Sequence, residues 1–169
     1  MDYYNLEKVE LFTEYDGLLV IEWGLGDRAW IQRADNQNKK IVEIRKEYRE
    51  PDFPGFLEFI SNLSQIESLP KTWVSILKNA KGIYLLTCPS TKEQYVGSAT
   101  GVNGLWGRWV EYARNGHGGD IALKSRDPSD YIVSILETAG SYIDDIEILR
   151  KESLWKQKLQ SREMGLNRN

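Results

Sequence analysis

Two tyrosine-containing tripeptides in the C-terminal half are the first candidates for chemistry. The sequence reads Gly-Ile-Tyr at 82–84 and Tyr-Val-Gly at 95–97. We expect Tyr84 and Tyr95 to lie on adjacent strands, where a phenol can position a water molecule or take its proton. Because a free tyrosine has a pKa near ~10, base action at neutral pH needs a metal or another cation nearby. Taken singly, each tyrosine is more often a packing residue.

An arginine and a third tyrosine follow on a predicted helix over 106–114. Arg108 and Tyr112 are four residues apart and so share one helical face. A guanidinium group binds phosphate oxygens through a planar fork and neutralises charge that develops on them. The alternative is a solvated helix face on which Arg108 pairs with Glu111.

Glu152 lies in a long helix that we expect to run from Asp144 to about Arg162. Asp144, followed three residues later by Glu147, forms a capping box. The helix places Glu152 in an otherwise apolar stripe, whose other members are Ile148, Trp155 and Leu159. A carboxylate there is costly unless it meets a metal or a cation. One alternative is a simple ion pair with Lys156 at i,i+4.

Together these residues resemble the signature of the GIY-YIG nuclease family, over residues 82–169 and in the expected order. The matching positions are the two tripeptides with Tyr84 and Tyr95, then Arg108, Tyr112, Glu152 and Asn167. The resemblance implies a small α+β domain that hydrolyses phosphodiester bonds with one divalent cation, Mg²⁺ or Mn²⁺.

The resemblance also implies a role for each matched side chain. Glu152 would hold the metal, and Arg108 would bind the phosphate. Tyr84 and Tyr95 would line the site, one of them positioning or deprotonating the attacking water. Tyr112 would orient Arg108 or water. Asn167 would brace the site rather than react.

Two features depart from this pattern or extend it. Some family members carry a lysine shortly after the second tripeptide, where this chain has Ser-Ala-Thr at 98–100, so one cation is missing or comes from elsewhere. His117, the only histidine, follows the arginine helix in a glycine-rich loop. It is a candidate base for the water, although a lone histidine is more often structural.

The elements that must position these residues predict two domains. In residues 81–169 we expect strands at 82–88, 94–98 and 131–136, which form a small sheet of about three antiparallel strands flanked by helices. Residues 1–80 read as a β-meander with strands at 18–23, 29–32 and 40–45, followed by helices near 56–63 and 73–77. This N-terminal half matches no signature, and substrate selection is the natural hypothesis for it.

Composition sets limits on the partners. Hydrophobic content is 41%, charged content 28% and net charge −3 over 169 residues, as in an ordinary globular protein rather than a basic nucleic-acid coat. The one cysteine, Cys88, excludes a disulfide framework and fits a reducing cytoplasm. No run approaches the ~20 apolar residues that span a bilayer, so no membrane partner is expected.

Two functions from different classes follow. The first is a metal-dependent endonuclease acting on DNA, compatible with a homodimer in which each copy cuts one strand. The second is a catalytically inactive nucleic-acid- or protein-binding module on the same scaffold. The missing lysine and the lack of a net positive charge keep the second hypothesis open beside the first.

Overall fold

The structure, a computed structural model, describes residues 10–24, 35–36, 38–116, 131–140 and 142–167. The chain divides into two units, Met1–Glu50 and Pro51–Asn169. The sequence placed this boundary near residue 80. The difference arises because residues 51–80 contribute a strand, a helix and several aromatic side chains to the core of the second unit.

The first unit contains a two-stranded antiparallel sheet of β1 (Leu19–Ile21) and β2 (Ile41–Ile44), preceded by a single 3-10 turn at Thr13–Tyr15. Both strands were predicted, with slightly wider limits. The middle strand of the predicted meander, at 29–32, lies outside the described residues.

The second unit is a four-stranded antiparallel sheet flanked by helices, which confirms the predicted α+β class. The strand order is β3-β6-β4-β5. The strands are β3 (Ile60–Asn62), β4 (Lys81–Thr87), β5 (Gln94–Ala99) and β6 (Ile132–Ala139). The helices are α1 (Lys71–Lys78), α2 (Gly104–Asn115) and α3 (Asp145–Lys158), with a 3-10 helix at Leu63–Ser68.

The fourth strand corrects the prediction of a helix near 56–63. Residues 60–62 pair with β6 instead, Ile60 opposite Ser134 and Asn62 opposite Ile132. The apolar spacing that suggested a helix has another cause: Phe56 and Phe59 pack around Phe53 in an aromatic cluster. A short apolar run does not distinguish helix from strand by its period, and here the partner strand decides.

The two faces of the sheet carry different helices. Alternate residues of a strand point to opposite faces, and Tyr84 and Tyr95 belong to the core that includes Trp109 of α2. Ile83 and Val96, one position away, pack with Ile148 of α3. Helices α2 and α3 therefore cover opposite faces of β4 and β5.

Helix α3 begins as the sequence predicts. The Asp144 carboxylate accepts a hydrogen bond of 2.8 Å from the backbone N–H of Glu147. The helix ends at Lys158, a few residues before the predicted end, and Gln160 then takes a left-handed conformation with φ 50°. Within the described residues, no helix has the length and apolarity needed to cross a membrane.

The two tripeptide glycines are required by close approach of other atoms. Gly97 lies opposite Tyr84 across β4 and β5, and a Cβ there would come within 2.9 Å of Tyr84 Cε2 and closer still to Oη. A Cβ at Gly82 would collide with the backbone carbonyl of Glu137 on β6. Any larger residue at 97 would displace the Tyr84 ring.

We therefore expect Gly97→Ala to lower the free energy of unfolding by about 1–3 kcal/mol, the usual effect of overpacking a core. Urea unfolding followed by tryptophan fluorescence measures this. Gly101→Ala is the matched control, because a Cβ at Gly101 meets nothing within 4 Å; its effect should stay within about 0.5 kcal/mol. Equal effects of the two substitutions would contradict the close approach.

Candidate active site

Three tyrosines from three elements form the base of the candidate site. The hydroxyl oxygens of Tyr84 on β4 and Tyr112 on α2 are 2.9 Å apart, and Tyr84 is fully buried at 0% exposure. The Tyr112 ring lies 6.1 Å, centroid to centroid, from both Tyr84 and Tyr95, edge to face in each case. The two motif tyrosines are thus brought together by a third one on the helix.

Arg108 lies directly on this cluster. Its guanidinium carbon is 4.9 Å from the centroid of the Tyr112 ring, a cation–π distance. Its Nη1 donates a hydrogen bond of 2.8 Å to Glu111 Oε2. Arg108 is half-buried while Glu111 is exposed, so the contact with Tyr112 and the alternative Glu111 pair are both present. The exposed carboxylate leaves the guanidinium accessible to a competing anion.

Burial raises the pKa of Tyr84 and of Tyr112 above the ordinary tyrosine value. Charge repulsion adds to the rise, from Tyr95 in the case of Tyr84 and from Tyr84 in the case of Tyr112. The positive charge of Arg108 opposes this for both phenols without cancelling it. Both phenols therefore stay protonated at neutral pH. A buried, protonated Tyr84 is suited to holding its neighbours rather than to taking a proton from water.

Glu152 lies on the opposite face of the sheet. Its Oε1 accepts from Lys156 Nζ at 2.7 Å, and its Oε2 accepts from the Ser98 hydroxyl. The Glu152 and Lys156 side chains are only 13% and 6% exposed. The apolar stripe predicted for α3 packs on the sheet, and the alternative of an i,i+4 pair with Lys156 is also present.

A cleft of about 400 Å³ opens at the end of β5. Its walls are residues 98–104 with Gly107, Arg108 and Glu111. Ser98 is common to both halves, since it lines this cleft with Arg108 and also contacts Glu152. The site is therefore built where the first turns of α2 meet the end of an edge strand.

Asn167 fixes that edge strand. Its side-chain amide donates to the Val96 carbonyl and accepts from the Val96 N–H, both at 2.8 Å. The amide thus replaces one residue of a neighbouring strand. Ser161 Oγ donates to Asn167 Oδ1 at 2.6 Å. These contacts hold β5 in place, as expected for a bracing residue. Among the described hydrogen bonds, none joins Asn167 to a residue of the tyrosine cluster.

The structure thus groups Tyr84, Tyr95, Tyr112 and Arg108 directly and reaches Glu152 through Ser98. His117 lies outside the described residues. Sequence reasoning did not select Ser98, although strand alternation places it on the Val96 face, toward α3. It also treated Lys156 only as an alternative partner of Glu152, and the structure shows that ion pair.

The donors around Glu152 fit a hard divalent cation. Mg²⁺ is commonly bound through one or two carboxylates, with water and substrate phosphate oxygens completing its shell. Glu152 and Ser98 offer a carboxylate and a hydroxyl oxygen beside an open cleft. No group of three or more His, Cys, Asp or Glu side chains forms a dedicated metal cage among residues that the structure describes. Lys156 occupies the Oε1 side of the carboxylate.

No protein-family model and no curated protein matches the chain. Among solved structures, it is similar to a mutant of the catalytic domain of intron endonuclease I-TevI. That match has 25% identity and a TM-score of 0.44, and covers 53% of this chain and 94% of that one. The catalytic domain of homing endonuclease I-TevI matches at 26% identity with a TM-score of 0.41, covering 51% and 95%.

I-TevI is a GIY-YIG homing endonuclease. Both TM-scores are below 0.5.

The buried phenols predict a specific pH dependence of stability. Above pH ~10 the unfolded chain loses tyrosine protons that folded Tyr84 and Tyr112 keep, because their folded-state pKa is raised. The free energy of unfolding should therefore be unaffected by these groups below pH ~10 and fall above it.

We expect Tyr84→Phe to reduce that fall, as measured by urea unfolding at several values between pH 8 and pH 12, a range chosen to bracket the ordinary tyrosine pKa of ~10. Tyr142→Phe, at a tyrosine that is 90% exposed, is the matched control. If the free energy of unfolding falls equally with pH in wild type and Tyr84→Phe, burial does not keep Tyr84 protonated above pH ~10.

Proposed function

We propose that the chain is an endonuclease that hydrolyses phosphodiester bonds in DNA with the help of Mg²⁺ or Mn²⁺. The observation that carries this proposal is the cleft at the end of β5. One wall presents Arg108 above the tyrosine cluster, and Ser98 on the other wall contacts the Glu152 carboxylate. A cationic group for phosphate therefore lies in the cleft, and a carboxylate for a metal is hydrogen-bonded to one of the residues that line it.

Arg108 would bind the scissile phosphate. A phosphate oxygen competes well for the guanidinium because Glu111, its present partner, is exposed and such pairs contribute only about 0–1 kcal/mol. The Tyr112 ring supports the guanidinium from below. In this position the planar fork neutralises charge as the phosphorus becomes pentacovalent.

The tyrosines would have different roles. Tyr84 stays protonated and holds Tyr112, and through it Arg108, by the hydroxyl contact of 2.9 Å. We assign the positioning of the attacking water to Tyr95, whose strand leads directly to Ser98 and the cleft. Water attacks phosphorus and gives up a proton to solvent, the bond from phosphorus to the leaving sugar oxygen breaks, and that oxygen takes up a proton from solvent.

Glu152 would hold the divalent cation, with Ser98 orienting the carboxylate through Oε2. When bound, such a cation neutralises charge on the phosphate and lowers the pKa of water. Asn167 maintains the position of β5 and so the distance between Ser98 and the cleft walls.

One observation favours the second candidate, a binding module without catalysis. Both oxygens of Glu152 already accept hydrogen bonds from protein groups, and a carboxylate held in this way has no need of a metal. This candidate predicts DNA binding that depends on Arg108 without any cleavage. The cleavage assay therefore separates the two candidates.

Glu152→Gln should reduce nicking or linearisation of supercoiled plasmid by at least ~100-fold in Mg²⁺ or Mn²⁺, because the metal ligand is lost. Arg108→Ala should reduce it to a similar degree, since one preorganised phosphate contact is commonly worth ~10²–10³ in rate. EDTA should abolish cutting by wild type.

Glu163→Gln, at an exposed glutamate, controls for loss of a carboxylate, and circular dichroism checks that each variant is folded. Undiminished cutting by folded Glu152→Gln would overturn the assignment of the metal ligand. No cutting of plasmid, branched DNA or RNA by wild type would favour the binding module.

A further inference from the structure

Lys156 is a buried ammonium at the candidate metal ligand. Its side chain is 6% exposed, and its Nζ lies 2.7 Å from Glu152 Oε1. Lysine is almost never so buried unless it is paired. The cation reaches this carboxylate from one turn further along the same helix, α3.

A second ion pair, between α3 and β6, provides a comparison. Lys151 pairs with Glu137, whose Oε2 accepts from Trp155 Nε1 at 2.9 Å. That lysine is 27% exposed, and neither partner contacts a residue that lines the cleft in the hydrogen bonds described. Of the two pairs, the structure links only Glu152 and Lys156 to the cleft, through Ser98.

The charges of Glu152 and Lys156 determine how a divalent cation can bind here. Glu152 and Lys156 together are neutral and largely removed from water. A divalent cation that binds at Oε1 while the ammonium stays would place two cations against one carboxylate in a poorly screened site, where like charges repel strongly. Binding of the metal therefore requires Lys156 to leave Oε1, while Ser98 can continue to hold Oε2.

We propose that Lys156 is a positioning residue that keeps Glu152 in place and competes with the divalent cation for Oε1. This inference rests on the proposed function, since it takes Glu152 as the metal ligand. The ammonium is a resident counter-ion that keeps the carboxylate at the cleft and raises the metal concentration at which the site fills. Removal of the positive charge at 156 strengthens metal binding.

The test is direct titration of the full chain with Mn²⁺ by isothermal calorimetry, without DNA. Lys156→Met removes the charge and keeps an apolar stem. Lys156→Gln removes the charge and keeps a donor for Oε1, which covers the case in which the methionine variant fails to fold. Lys156→Arg keeps the charge, and Lys151→Met is the matched control at the other pair.

We expect Mn²⁺ to bind Lys156→Met and Lys156→Gln at least ~10-fold more tightly than wild type, because the repelling cation is gone. Lys156→Arg and Lys151→Met should stay close to wild type. Addition of Glu152→Gln to Lys156→Gln should abolish binding. Tighter binding by the charge-free variants that disappears with Glu152→Gln supports the proposal.

Three outcomes overturn it: wild-type or weaker affinity in folded Lys156→Gln, equal strengthening in Lys151→Met, and no binding in any chain. Plasmid cleavage by wild type at high Mn²⁺ tests the proposed function separately from the role of Lys156. Cleavage without the expected affinity change would refute the role of Lys156 and leave the nuclease standing. The affinity change without cleavage by wild type would support the role of Lys156 in metal binding and refute the nuclease.

Discussion

The passage of the Tyr84 ring over the bare backbone of Gly97 is the constraint on which the site depends. The two residues are directly opposite in adjacent strands, and no room exists for a Cβ at 97. Because the ring lies there, its hydroxyl reaches Tyr112, and the Tyr112 ring in turn supports Arg108. One missing methyl group on β5 therefore determines where a guanidinium on α2 is placed.

Strand alternation then divides the chemistry between two faces of one sheet. Tyr95 and Val96 are neighbours in sequence, yet they pack in separate cores, under α2 and α3 respectively. Groups on opposite faces of a sheet meet only beyond a strand end or at an edge. The end of β5 is both, and Ser98 is the residue through which the Glu152 side reaches the cleft. Asn167 secures this edge by occupying the hydrogen-bonding groups of Val96.

Local signals allowed the prediction of the features whose causes are local. The Asp144 cap, the apolar stripe of α3 and the two motif strands follow from residues a few positions apart. The strand at Ile60–Asn62 depends on pairing with β6, about seventy residues later, and its spacing resembles a helix until that partner is known. The contact of Ser98 with Glu152 is similar: alternation gives the face, but only the packing of α3 gives the partner.

The ion pair of Glu152 and Lys156 within α3 is a poor candidate for a purely stabilising element. Removal of two charges from water costs free energy that their attraction often only balances, and apolar residues of similar volume stabilise such sites as well or better. Ile148 and Leu159 already pack α3 on the sheet through ordinary apolar contacts. A desolvated carboxylate and ammonium in the middle of that stripe are better explained by the proposed chemistry at the adjoining cleft, in which a metal would displace Lys156 from the Glu152 carboxylate.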